Sequence, residues 1–268
     1  MGHFIEVETG VKLFVEDIGE GQPVVFLHGW PVNHKMFEYQ ATELVKQGYR
    51  FIGIDLRGYG QSDRPATGYD YDRKADDVRA VVDYLQLENI VLAGFSMGGP
   101  IAARYMSRHK EYQVSKLMLL APAAPRFTKT DHFPYGIEAS EIDGMIASIQ
   151  EDRPAFLDEF GKQFFHQEPS DPFKQWFGGL GLEASAHGTI QSAIALRDED
   201  GLDDLPGISV PTLLLHGTED EICPLDFSLY LAEHLADAEL VKVENSGHGF
   251  IFEEKEKTNN EILTFLKR

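Results

Sequence analysis

Residues 90–108 read IVLAGFSMGGPIAARYMSR, and the fold turns on this stretch. Ile90–Phe95 is an unbroken apolar run, the kind that forms a strand buried on both faces, and Pro100–Arg108 reads as a helix. Between them lies Gly94-Phe95-Ser96-Met97-Gly98. A strand that turns abruptly into a helix forces the residue at the turn into a strained backbone conformation, and glycine on either side removes the side chains that would clash. The serine hydroxyl is thereby lifted above the sheet edge and set at a helix N-terminus, where the dipole favours developing negative charge. A plain glycine turn would have no need of serine, so Ser96 is the candidate nucleophile.

The flanking sequence repeats the strand–helix rhythm. His3–Glu8 and Val11–Asp17, separated by Thr9-Gly10, read as an opening hairpin. Pro23–Leu27, Arg50–Asp55 and Lys116–Ala121 join Ile90–Phe95 as buried-type strands. In Tyr71–Leu87 the apolar residues Ala75, Val78, Val82 and Leu85 recur at helical spacing, which places Asp76, Asp77 and Arg79 on the surface. Alternation of this kind predicts an α/β fold with a parallel sheet. The rhythm breaks after Pro122. Residues 123–204 are Phe-rich and helical, with Ile142, Met145, Ile146 and Ile149 and then Phe156, Phe160 and Phe164 at helical steps. This reads as a helical insertion, a candidate lid, set into a core formed by residues 1–122 and 205–268. Strands resume at Pro211–His216 and Glu239–Glu244 around a helix near Asp226–Ala236, and a last amphipathic helix runs from Glu254 to Lys267.

Composition bounds the partners. The chain has 268 residues, of which 43% are hydrophobic and 25% charged, as in an ordinary globular protein. Its net charge is −20, a field that repels nucleic acid and anionic membranes, so neither is an expected partner. With the single cysteine Cys223, no intramolecular disulfide can form. The opening MGHFIEVETG lacks an apolar signal segment, so the expected location is the cytoplasm. No metal-binding histidine pair is present and no cofactor is expected. Nothing in the pattern sets the oligomeric state, and a homo-oligomer stays open.

A serine hydroxyl needs a base to remove its proton. Of ten histidines, His248, in Asn245-Ser246-Gly247-His248-Gly249-Phe250, follows the last strand and precedes the last helix, where flanking glycines let the imidazole reach the serine. An imidazole in turn needs a carboxylate to fix its tautomer. Glu219, Asp220 and Glu221 compete for that role after the strand Pro211–His216, and on chemistry alone any could serve. His216 reads as a structural histidine and Cys223 as a small packing residue. Two backbone N–H donors must face the oxyanion of an acyl-transfer intermediate. One is that of Met97, after the serine; the other comes from His28-Gly29-Trp30-Pro31, where Trp30 supplies it because Pro31 has none. His28 itself reads as a loop brace. Asp55-Leu56-Arg57-Gly58-Tyr59-Gly60-Gln61-Ser62 closes a strand, and its charged pair is expected to brace loops near the site.

Taken together, HGWPVNHKMFEYQ at His28–Gln40, DLRGYGQSD at Asp55–Asp63, GFSMGGP at Gly94–Pro100, HGTEDEICP at His216–Pro224 and SGHGF at Ser246–Phe250 resemble the bacterial arylesterases and cofactor-free haloperoxidases, or perhydrolases, of the α/β-hydrolase superfamily. The resemblance runs along nearly the whole chain and weakens over Gln167–His187. It implies a mostly parallel eight-stranded sheet with an antiparallel N-terminal strand, helices on both faces and a helical lid. It assigns Asp220 as the catalytic acid, beside Ser96 and His248. It also implies hydrolysis of small acyl or aryl esters without a cofactor, and attack of hydrogen peroxide on the acyl-enzyme; a proline after the tryptophan, here Pro31, is associated with the latter. By the same resemblance Phe95, Phe127, Phe156, Phe160, Phe164 and Ile222 line the acyl pocket with Trp30. The same three residues would also serve a lactonase, an amidase or γ-lactamase, or a carbon–carbon bond hydrolase, and, as a lesser alternative, a ligand receptor with slow turnover.

Overall fold

The computed structural model describes residues 1–268. Eight strands form one sheet: β1 (Gly2–Glu8), β2 (Val11–Ile18), β3 (Pro23–Leu27), β4 (Arg50–Ile54), β5 (Ile90–Phe95), β6 (Val114–Leu120), β7 (Thr212–Gly217) and β8 (Ala238–Val243). Their spatial order is β1-β2-β4-β3-β5-β6-β7-β8. β2 is antiparallel to both its neighbours, and every pairing from β4 to β8 is parallel. The antiparallel strand is therefore the second one, because the Thr9-Gly10 turn reverses the chain only once. The central strands β3 and β5 are buried at every residue, which is why their sequences show no alternation.

Helices α1 (Glu38–Lys46), α2 (Tyr71–Tyr84) and α3 (Gly98–Arg108) connect the first strands. The insertion between β6 and β7 carries α4 (Ala139–Lys162), α5 (Asp171–Leu182) and α6 (Ala186–Asp198). After β7 come α7 (Leu225–His234), the single turn α8 (Phe250–Glu253) and α9 (Lys255–Leu266). α1 packs with α9, and α2 with α3, so the sheet is covered on both faces.

Two local features depart from the sequence reading. α4 is broken at Asp152 (φ −151°, ψ 87°), two residues before Pro154, whose ring excludes a helical residue ahead of it. Phe156 and Phe160 belong to the second half of α4, while Phe164 lies beyond its end, on the segment that leads to α5. Asp77 is not on the surface. It is buried because the Arg57 guanidinium grips it twice, at 2.6 and 2.7 Å, and Arg73 reaches it at 2.9 Å. Asp55 and Arg57 thus do not pair with one another. Asp55 accepts from the His34 and Gln61 backbone N–H groups at 3.0 and 2.8 Å, and each residue braces a different loop. No helix is long and apolar enough to cross a membrane.

Candidate active site

The three segments singled out by chemistry leave the carboxyl ends of β5, β7 and β8. Ser96 follows β5 directly with φ +51°, a left-handed conformation that a serine adopts only under constraint from its surroundings. The constraint is visible at the neighbouring glycines. A Cβ on Gly94 would lie 2.2 Å from the Gly98 carbonyl oxygen, and one on Gly98 would lie 2.2 Å from that of Leu27. The turn closes only without those side chains.

Asp220 and His248 meet although they lie on separate loops. Asp220 Oδ2 accepts from His248 Nδ1 at 2.7 Å, and Oδ1 accepts from the backbone N–H groups of Ile222 and Cys223 at 2.9 and 2.8 Å. His216 Nε2 donates to the Cys223 carbonyl at 2.8 Å and lies 3.3 Å from Asp220 Oδ2, so this histidine braces the acid. Burial would push the Asp220 carboxyl up, but the charge of His248 and the hydrogen bonds from His216 and His248 overcome it and hold the group well below the usual carboxylate range. Asp220 therefore stays ionised. With Nδ1 committed to Asp220, the nitrogen left to accept a proton is His248 Nε2, which is buried and has no hydrogen-bond partner. The Ser96 hydroxyl leans on the Cys223 thiol, Oγ to Sγ 4.0 Å, and not on the imidazole. Cys223 is fully buried, and burial together with the Asp220 charge pushes its thiol well up, which keeps it protonated.

The loop after β3 closes over the serine. A Cβ on Gly29 would come within 3.0 Å of Ser96 Cβ and 2.9 Å of the Phe95 ring, so only glycine allows this approach. His28 spans the loop, its Nδ1 donating to the Gly29 carbonyl at 2.9 Å and its Nε2 accepting from the Leu56 N–H at 3.0 Å. Burial lowers it to about 4, so it is neutral, as this pair of bonds requires. The backbone N–H groups of Trp30 and Met97 donate to no group of the chain, backbone or side chain. A nucleophile turn, a partnerless imidazole nitrogen, a buried carboxylate behind it and two free amides form a constellation suited to acyl transfer.

Comparison with known proteins agrees with this architecture. Residues 22–148 match the family model for the alpha/beta hydrolase fold, and residues 194–268 match that for TAP-like proteins. An AB hydrolase superfamily protein of Bacillus subtilis is 59% identical over 99% of both chains. The chain belongs to the α/β-hydrolase superfamily. An esterase from Exiguobacterium antarcticum superposes with a TM-score of 0.98 at 51% identity, covering 100% of both chains. A bromoperoxidase from Bacillus anthracis superposes with a TM-score of 0.96 at 31% identity, again over 100% of both chains.

In this α/β-hydrolase a cavity of about 430 Å³ opens between α4, α5 and the loop after β3. Pro31, Phe160 and Phe164 line it, together with Val32, Leu157 and Phe177. Its rim carries Lys162 and Lys174, each held by nearby carboxylates. Phe164 also meets the His248 ring at 4.8 Å and so stands between the cavity and the imidazole. Of the residues assigned to the pocket by resemblance, Phe95, Phe127, Phe156 and Ile222 do not line this cavity. The Phe95 ring packs against that of His248 at 4.8 Å, and Phe156 lies edge-on to Trp30 at 6.1 Å. Ile222 serves the site through its backbone N–H, and Phe127 packs on Phe227 away from the cavity. The trans-to-cis choice at Trp30–Pro31 is cis.

Three contributors escaped the sequence reading. Cys223 touches the serine, Phe177 lines the cavity, and Lys74 reaches Met97. Lys74 did leave a trace: it lies four residues before Val78, on the apolar stripe of α2, where a solvated lysine would not belong.

Proposed function

We propose that this hydrolase is a serine carboxylesterase acting on small acyl or aryl esters through an acyl-serine intermediate. The observation that carries the reading is the His248 imidazole, fixed by ionised Asp220 through Nδ1, with Nε2 unpartnered beside the Ser96 turn. In this reading Ser96 Oγ leaves its contact with Cys223 and gives its proton to Nε2. Oγ attacks the ester carbonyl carbon in the same step, and the carbonyl oxygen gains the negative charge that the Trp30 and Met97 amides receive. Collapse of the tetrahedral species expels the alcohol, which leaves with the proton held on Nε2. Water, deprotonated by His248, attacks the acyl-serine and releases the acid. Hydrogen peroxide in place of that water yields a peracid; the likeness to a bromoperoxidase and the presence of Pro31 on the cavity wall support this second outcome. The cavity behind Phe164, with Pro31, Phe160 and Phe177 in its wall, suits an acyl or aryl group, and the insertion that frames it acts as the lid. The Glu219 and Glu221 side chains take no part.

The test is Ser96→Ala assayed with p-nitrophenyl acetate. Turnover is expected to fall to the uncatalysed background, and labelling of the protein by a fluorophosphonate to disappear. A variant that keeps a tenth of the wild-type rate would remove Ser96 from the mechanism.

A further inference from the structure

Lys74, on α2, is fully buried and makes no ion pair with a carboxylate. Burying an ammonium without a counter-charge is unfavourable, and a methionine would fill the same space. Its contacts indicate what it holds together. Nζ donates to Ser192 Oγ of α6 at 3.0 Å and lies 3.9 Å from Met97 Sδ. On the other side of the same helix end, the Trp30 indole N–H donates to the Thr189 carbonyl at 2.9 Å, and the Tyr59 hydroxyl reaches the Gly188 carbonyl at 3.4 Å. Trp30 and Met97 are the two residues whose amides the proposed mechanism gives to the oxyanion. The side chain of one ends on α6 directly, and that of the other reaches α6 through Lys74. Met97 also stands at the N-terminus of α3 with no side-chain capping bond to hold it, so its aim depends on such outside contacts.

We infer that Lys74 is a positioning residue for acyl transfer: by joining Met97 to Ser192 it couples the seating of α6 to the oxyanion hole, as the Trp30 indole does for the other donor. The inference rests on the esterase reading and adds to it a mechanical link, in which a displaced α6 leaves both donors misaimed while the nucleophile, base and acid remain in place. Only the oxyanion exploits that alignment fully, so the link acts on the transition state more than on ester binding.

The experiment compares wild type, Lys74→Met and Ser192→Ala for kcat and KM on p-nitrophenyl acetate, for inhibition by phenylboronic acid, which forms a tetrahedral adduct with an active serine, and for thermal melting. Both variants are expected to lose about tenfold in kcat, less than the roughly 100- to 1,000-fold that follows complete loss of one donor. KM should stay within about twofold, boronate inhibition should weaken by the same factor as kcat, and melting should not fall. A kcat within twofold of wild type overturns the inference, as does a loss confined to KM or one that tracks a fall in melting temperature. If Lys74→Met does not fold, Ser192→Ala decides alone. Ester turnover that is absent from wild type, or that survives Ser96→Ala, overturns the esterase reading and this inference with it. Serine-dependent turnover with unaffected Lys74 and Ser192 variants overturns the inference only.

Discussion

Asp220 shows how much one side chain can depend on its neighbours. Glu219 and Glu221 are exposed, whereas the Asp220 carboxylate is buried under four donors: two histidine nitrogens and two amides. Asparagine at this position would keep an oxygen for the Ile222 and Cys223 amides and turn its NH₂ group toward His248 Nδ1. That geometry demands the wrong imidazole tautomer, with the proton on Nε2. Asp220→Asn is therefore expected to lower kcat by about 1,000- to 10,000-fold with circular dichroism unchanged. A loss below tenfold in steady-state assays would mean that His248 does not depend on this carboxylate. The acid could not be chosen from its own residue type, because three carboxylates stood side by side; family likeness pointed to one, and burial distinguishes it.

At the scale of elements, the strand–turn–helix unit β5–α3 was legible because each part has a strong local signal: an apolar run, a glycine pair and a helical stretch. The packing of α3 against β3 is tighter than that signal conveys. The atoms nearest a new Cβ at Gly98 are the carbonyl oxygen and carbon of Leu27, at 2.2 and 2.8 Å, and the carbonyl oxygen of His28, at 3.0 Å, and backbone cannot swing aside. Gly98→Ala should therefore push α3 from the sheet, carry Met97 off its aim, and lower both the melting temperature and kcat/KM, the latter by at least about tenfold, as displacements of about 1 Å in catalytic geometry can do. Unchanged melting and kinetics would show that the helix has room to move. α4 was less legible. Apolar spacing suggested one continuous stripe through Phe164, but Pro154 breaks the helix at Asp152, and Asp152 Oδ1 caps the second half by accepting the Ala155 N–H at 3.1 Å. Periodicity registers which residues face inward and not where the axis bends.

Across the whole molecule, 24 basic against 44 acidic residues leave the surface strongly negative, while inside the fold Lys74 lies without a carboxylate partner. Burial lowers Lys74 to about 7 from an ordinary value of 10.5. Between those values the unfolded chain holds a proton that the folded chain has released, so the unfolded state binds more protons and stability rises with pH. The burial penalty is fully present below pH 7 and fades as pH climbs toward 10.5. The slope from this group reaches about 1.4 kcal/mol per pH unit at most. Urea unfolding midpoints are thus expected to increase from pH 7 to pH 9.5 in wild type. Lys74→Met should flatten that rise and stand above wild type at pH 7. Parallel pH profiles for the two proteins would place the Lys74 charge in solvent.

By itself the sequence determined the alternation of strands and helices, and it singled out the serine at its turn and the histidine before the last helix, because each follows from spacing and side-chain chemistry within one short segment. Tertiary structure alone decided that Asp77 is buried, that Cys223 touches the serine, that Phe127 lies away from the cavity, and that the Trp30 side chain ends on α6 while Met97 reaches it through Lys74. These facts depend on which surfaces of distant segments meet. Such meetings are governed by packing and by the pairing of buried polar groups across the sheet, and no local pattern records them.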